Sequence, residues 1–182
     1  MGRLSQAIAE GDGISILVEV SSGDAAGAAE RQGADVLVSR HATPAVRESS
    51  HLPLLHFGAV REARSVGADA VVVPSHAATW HAAREAELEG VVRVGSSEDL
   101  ERALEEFDPE ILLLSADLGS NADPLESLLA LLHDVPAGKL AIAELHDATA
   151  EDVAELERAG VDGVLVTSID VAALVGAEPP DV

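Results

Sequence analysis

Residues 1–176 of this 182-residue chain are predicted to fold as one compact (β/α)8 barrel, with residues 177–182 as a flexible C-terminal tail. Three observations carry the expectation. Short β-branched or leucine-rich runs alternate with amphipathic runs along the whole chain. Three of those junctions repeat one pattern, Gly33-Ala34-Asp35, Gly67-Ala68-Asp69 and Gly160-Val161-Asp162, each followed by a buried-strand signature. Neither a Gly-x-Gly-x-x-Gly turn nor a Walker A loop is present, which favours a closed barrel over a nucleotide-binding open sheet; a doubly wound sheet is the alternative. The fold takes about 250 residues on average and rarely fewer than 200, so its loops must be short.

In order, the strand signals fall at 14–20, 35–39, 52–57, 70–74, 91–94, 111–115, 140–144 and 163–167. Their Val, Ile and Leu content suits parallel strands covered on both faces. Helical periodicity places helices at 25–32, 59–66, 78–89, 98–107, 124–132 and 150–159, and leaves 41–51 as a short crossover. Ser97 before Glu98-Asp99 and Thr149 before Glu151-Asp152 are N-cap signals. The repeated glycines are helix stops, since glycine tolerates the left-handed conformation that ends a helix.

Composition narrows the function classes. With 47% hydrophobic residues the chain can build a core and is too apolar for an acidic disordered segment. It has no cysteine, which excludes disulfides, thiolate metal sites and a cysteine nucleophile and fits a reducing compartment. The start carries neither a basic segment followed by an apolar core nor a membrane-length apolar run, so the expected location is cytoplasmic. Asp and Glu number 33 against 11 Lys and Arg, a net charge of -22, and Lys139 is the only lysine. Nucleic acid and anionic membranes are bound through clustered Lys and Arg, so neither is expected as a partner. Acids crowd onto helix faces such as Glu98, Asp99, Glu101, Glu105 and Glu106, a pattern that suits a high-salt cytoplasm.

Several runs carry a family resemblance that covers most of the chain. Leu4-Ser5-Gln6-Ala7-Ile8 with Leu17-Val18-Glu19-Val20, Pro53-Leu54-Leu55-His56-Phe57, Glu62-Ala63-Arg64, Asp99-Leu100-Glu101-Arg102, Ala143-Glu144 and Ala159-Gly160-Val161-Asp162 are the main ones. They resemble indole-3-glycerol phosphate synthase, the ring-closing lyase of tryptophan biosynthesis among the ribulose-phosphate-binding barrels. The resemblance implies that Glu19 and Glu144, at strands one and seven, lie in a substrate pocket and assist proton transfer. Elsewhere the family pattern is broken. Ser21 stands at its strand-one lysine, His56 or Phe57 at its strand-three lysine, Arg93 at its strand-five glutamate and Leu114-Ser115 at its Asn pair. Leu145-His146 and Thr167 replace phosphate-loop residues, and Ser168 with the following helix start keeps part of that cradle.

Active sites of such barrels lie at the C-terminal strand ends. Candidate catalytic residues are therefore Glu19, His56 and Glu144, with His56 replacing a lysine as proton donor because imidazole titrates near neutrality. Arg93, Asp117 and Ser168 are the candidate substrate contacts. His41, His56, His76 and His146 all fall near strand ends and could share a metal with a carboxylate, but no HxH or HExxH spacing supports one. No metal or cofactor is expected. Opposed to a ligand role, Glu19 and Glu144 could form an ion-paired network with Arg40 and Arg93. The expected function is that of a weakly ligand-binding or non-catalytic paralogue acting through a protein partner; the alternative is an enzyme on a small anionic, sugar-phosphate-like substrate, including the parent lyase reaction. The charge reading has its own test: the thermal unfolding midpoint should fall steeply as salt is lowered from molar to millimolar, and a salt-independent midpoint would contradict it.

Overall fold

A computed structural model describes residues 2–74, 77–116, 123–168 and 170–175. The elements run α1 (Arg3–Ala9), β1 (Ser15–Glu19), α2 (Gly23–Arg31), β2 (Val36–Ser39), α3 (Pro44–Ser49), β3 (Leu54–Phe57), α4 (Val60–Ser65), β4 (Ala70–Val73), α5 (Ala77–Glu85), β5 (Glu89–Val94), α6 (Ser97–Glu106), β6 (Ile111–Ser115), α7 (Pro124–His133), β7 (Leu140–Glu144), α8 (Ala150–Ala159), β8 (Gly163–Val166) and α9 (Val171–Leu174). All eight strands are parallel and pair in sequence order. β8 returns to β1, with Leu17 level with Leu165, and closes the barrel. The predicted (β/α)8 fold is the observed one, and each predicted strand is present.

Strand alternation divides the core into two layers. Leu17, Val38, Leu55, Val91, Leu113 and Ile142 point into the barrel, joined from below by Leu4 and Ile8 of α1. That helix plugs the N-terminal end, and the Glu89 carboxylate caps it by accepting the Leu4 and Ser5 N–H groups. The alternate positions, among them Ile16, Leu37, Val71, Val92, Leu114 and Val164, face the helices.

The three repeated Gly-x-Asp junctions do more than stop helices. Gly33, Gly67 and Gly160 have φ of 92, 67 and 94°. Each Asp that follows then clasps one residue of the preceding strand through both of its backbone groups. Ile16 N–H donates to Asp35 Oδ2 at 2.8 Å, Leu54 N–H to Asp69 Oδ2 at 2.8 Å and Ala141 N–H to Asp162 Oδ2 at 2.7 Å. In return the N–H of each Asp donates to the carbonyl of that same residue, at 3.0, 2.9 and 2.9 Å. These clasps form a stability rim at the N-terminal strand ends, away from the mouth.

Boundaries differ from expectation in a few places. The 41–51 crossover contains α3, started by Pro44 at its first turn and tied down by Arg47, which donates to the Leu52 carbonyl and to Asp69. α5 stops at Glu85 rather than 89, because Glu87 takes a left-handed φ of 59°. Ser96, not Ser97, caps α6, whereas Thr149 caps α8 as expected, in a capping box with Asp152. Replacing Asp162 by Ala strips a charged acceptor from the buried Ala141 N–H and should cost about 1–3 kcal/mol in denaturant unfolding. A matched Glu105→Ala change on the exposed face of α6 should move stability by less than about 0.5 kcal/mol.

Candidate site at the barrel mouth

At the C-terminal ends of the strands the inward positions are Glu19 on β1, Phe57 on β3, Arg93 on β5, Ser115 on β6 and Glu144 on β7, with Arg40 just past β2. Their side chains meet. Arg40 Nε donates to Glu19 Oε2 at 2.8 Å and its Nη2 to Glu144 Oε1 at 3.0 Å. From the other side Arg93 Nε donates to Glu144 Oε2 at 2.9 Å and its Nη2 to Ser115 Oγ at 2.8 Å. Phe57 lies against the Arg40 guanidinium, 4.1 Å from Cζ to ring centroid, a cation–π contact that holds the arginine plane. His146 Nε2 stands 3.3 Å from Glu144 Oε1.

The Glu144 side chain is 3% exposed, and an ionised carboxylate so deep must be paired. Burial pushes its pKa up, but Arg93, Arg40 and Ser115 outweigh burial and hold it below the ordinary carboxylate value. Its charge therefore stabilises the fold above the ordinary carboxylate range, and that contribution is lost as pH falls through the lowered value. Arg40 shifts in the complementary sense: burial opposes its charge, while Glu19 and Glu144 raise its pKa. Glu144 is thus held in its ionised form by its two arginine partners. Glu19 is more accessible, at 25% exposure, and has Arg40 as its ion-pair partner among the described residues.

Not every predicted residue joins this cluster. His56 requires a correction: it follows the parity of Leu54, not Leu55, and so points out of the barrel into the layer between sheet and helices. It is wholly buried there, with Nδ1 at 2.9 Å from Ser39 Oγ and Nε2 at 3.9 Å from Glu62. Burial lowers its pKa, partly offset by Glu62, so the ring is kept neutral and away from the mouth. Ser168 is exposed, and its hydroxyl accepts the Asp170 N–H at 3.2 Å within its own loop. Asp117 and His76 lie outside the described residues. His41 is exposed just past β2, and no group of three or more metal-ligating side chains occurs among the described residues. Lys139 sits at the opposite rim, paired with Asp108.

Two hollows adjoin at the mouth and share Arg93 and Ser115. One, of about 810 Å³, is lined by Phe57, Val72 and Pro74 with the Gly95-Ser96 approach to α6. The other, of about 350 Å³, is bounded by Glu144, His146, Asp123 and Leu125. With 44% of its side chain exposed, Arg93 is the cation that faces both. Phe57 was the part of the site least visible in sequence, and alternation counted forward from Leu55 would have turned Phe57 inward and His56 outward.

No family model matches the chain. Among curated proteins it is 32% identical to indole-3-glycerol phosphate synthase from Variovorax paradoxus (strain S110), across 90% of this chain and 64% of that protein. It is 31% identical to indole-3-glycerol phosphate synthase from Acidithiobacillus ferrooxidans (strain ATCC 53993 / BNL-5-31), across 74% of this chain and 54% of that one. The chain thus spans between about half and two thirds of the length of these relatives. Among solved structures, thiamine phosphate pyrophosphorylase from Pyrococcus furiosus superposes with a TM-score of 0.72 at 16% identity, covering 94% of this chain and 92% of that one. The N-acetylmannosamine-6-phosphate 2-epimerase from Clostridium perfringens gives 0.72 at 13% identity, over 90% and 89%. These two share the architecture, while the sequence matches go further: over most of its length the chain is similar to indole-3-glycerol phosphate synthases.

Proposed function

We propose that this barrel has given up the parent ring closure, holds a small anionic ligand weakly at Arg93, and acts in a salt-rich cytoplasm through association with another protein. The single observation that carries the reading is the clamp on Glu144. Ring closure with loss of carboxylate and water needs a positioned acid to protonate a departing hydroxyl. Here the most deeply placed carboxylate is spent between two guanidinium groups, and the only lysine stands at the far rim. Arginine cannot take the acid's part, since its pKa keeps it protonated throughout the working range.

A second reading is favoured by the hollow of about 810 Å³ beside Arg93, which has room for a sugar-phosphate-sized anion. On that reading the chain is an enzyme on a small anionic substrate, the parent lyase reaction included, with Glu19 and His146 as the proton-handling groups left at the mouth. Arg93 then binds the anion and Ser115 orients it.

Turnover separates the two. Incubated in high salt with the carboxyphenylamino-deoxyribulose phosphate substrate of the family, the protein should yield no indole fluorescence above a protein-free blank. Sustained, saturable product formation would replace the first reading by the second. Ligand binding has its own check: ribose 5-phosphate should bind weakly and saturably by calorimetry, and Arg93→Met should lower the affinity about tenfold or more, the loss of one charge-assisted contact. Equal binding by both proteins would remove Arg93 from the site.

A further inference from the structure

Among the described residues the outer ring of helices is thinnest after β8. There α9 makes one four-residue turn, whereas α8 beside it runs ten residues and α2, following β1, runs nine. At about 1.5 Å per residue, α9 covers roughly 6 Å of a wall that α8 covers for about 15 Å. Below α9 lies a groove of about 410 Å³ on the barrel's outer side, between Val153 and Ala154 of α8, Leu174 and Val175, and Ile14 and Ile16 at the start of β1. Val175, 57% exposed, is the one exposed large apolar side chain among the described residues, and it stands on this groove.

The groove is also one-sided in charge. Asp12, Asp35 and Glu157 line it, and no Lys, Arg or His does so among the described residues. Two of these acids accept from the wall, Asp35 from Ile16 N–H at 2.8 Å and Glu157 from Ile14 N–H at 3.4 Å. Neither bond neutralises a carboxylate. A second copy of the chain would bring the same three acids and a further net charge of -22 against them, so self-association is the wrong complement. What fits is an apolar edge accompanied by a cation.

We infer that this groove docks a short helical segment of a basic protein partner, which lies beside α9 on the barrel's outer wall. Its apolar side chains lie on Val153, Leu174 and Val175, and a lysine or arginine enters among Asp12, Asp35 and Glu157. The inference rests on the association half of the proposed function and is independent of what the mouth binds.

The test uses the full chain, isotope-labelled, with a helical peptide of about three turns built from Ala, Leu and Lys, its Leu and Lys on adjacent stripes. A peptide with Glu at every Lys position is the control. The Lys peptide should shift the amide resonances of Ile16, Ala154 and Val175 saturably and leave Arg93 and Ser115 unmoved, and the Glu peptide should shift none. Ala154→Phe, which fills the groove from an exposed helix position, should weaken binding at least tenfold. Glu157→Gln should weaken it severalfold, and carries the test should the first variant not fold. Shifts spread over the acidic face of α6 and indifferent to both substitutions would overturn the inference. So would contacts from residues 176–182 to the groove in the free protein, or a dimer dissolved by Val175→Asp in sedimentation. Indole formation in the separate turnover assay would change the reading of the mouth without touching this result.

Discussion

A carboxylate sealed inside the mouth of a closed barrel constrains everything around it. Glu144 is the last residue of β7, and strand parity sends its side chain inward, where 3% of it reaches solvent. An unpaired charge in such a place would neutralise itself or unfold the site. The protein's answer is to bring Arg40 and Arg93 from opposite sides of the ring, so that each carboxylate oxygen is taken by a different guanidinium. Those arginines then need support in turn. Phe57 carries the face of Arg40, Glu19 takes its remaining edge and Ser115 receives a second bond from Arg93. Residues from β1, β3, β5, β6 and β7 and from the end of β2 are thereby tied into one network, whose formal charges cancel.

The other rim solves a different problem with the same residue type. Parallel strands entering a barrel leave backbone groups of their first residues without a regular neighbour. Asp35, Asp69 and Asp162 satisfy those groups directly, each gripping the N–H and the C=O of one residue on the preceding strand. Part of the acidic excess is therefore structural, not merely solvated. The clasp has an energetic cost: burial raises the Asp35 pKa, only partly offset by the Ile16 N–H. Many further acids stand on exposed helix faces, among them Glu98, Glu101, Glu105 and Glu106 of α6.

How much of this was legible in the sequence follows from which physical signals are local. The eight strands were, because each is a short apolar run bounded by a turn. The helix stops were legible wherever glycine marks them, at 33, 67 and 160, and one was missed where Glu87 adopts the left-handed conformation without being glycine. At Glu87 the consequence was a helix drawn four residues too long. Helix α3 escaped notice because six residues are too few to show a period. At the mouth, the retained acids Glu19 and Glu144 and their arginine partners were anticipated as one of two readings. His56 was misassigned because a position at a strand end was taken as a direction. One step along a strand reverses the side chain, so His56 and Phe57 face opposite sides of the same wall, and no count of residue types reveals which.

That reversal also bears on chemistry. Had His56 faced inward, the mouth would hold a titratable donor beside Arg40, and a histidine could stand in for a lost lysine. With Phe57 there instead, the β3 position contributes a flat apolar surface and steadies a cation. The acid–base capacity left among the described residues is Glu19, partly exposed and tied to one arginine, and His146, whose Nε2 leans on Glu144. Glu144 stays anionic under its two guanidinium groups, which hold its pKa below the ordinary carboxylate value. A mouth built this way pairs its buried carboxylate twice and leaves Arg93 turned toward both hollows, so the ion-pair network and the open side of Arg93 are two consequences of one arrangement.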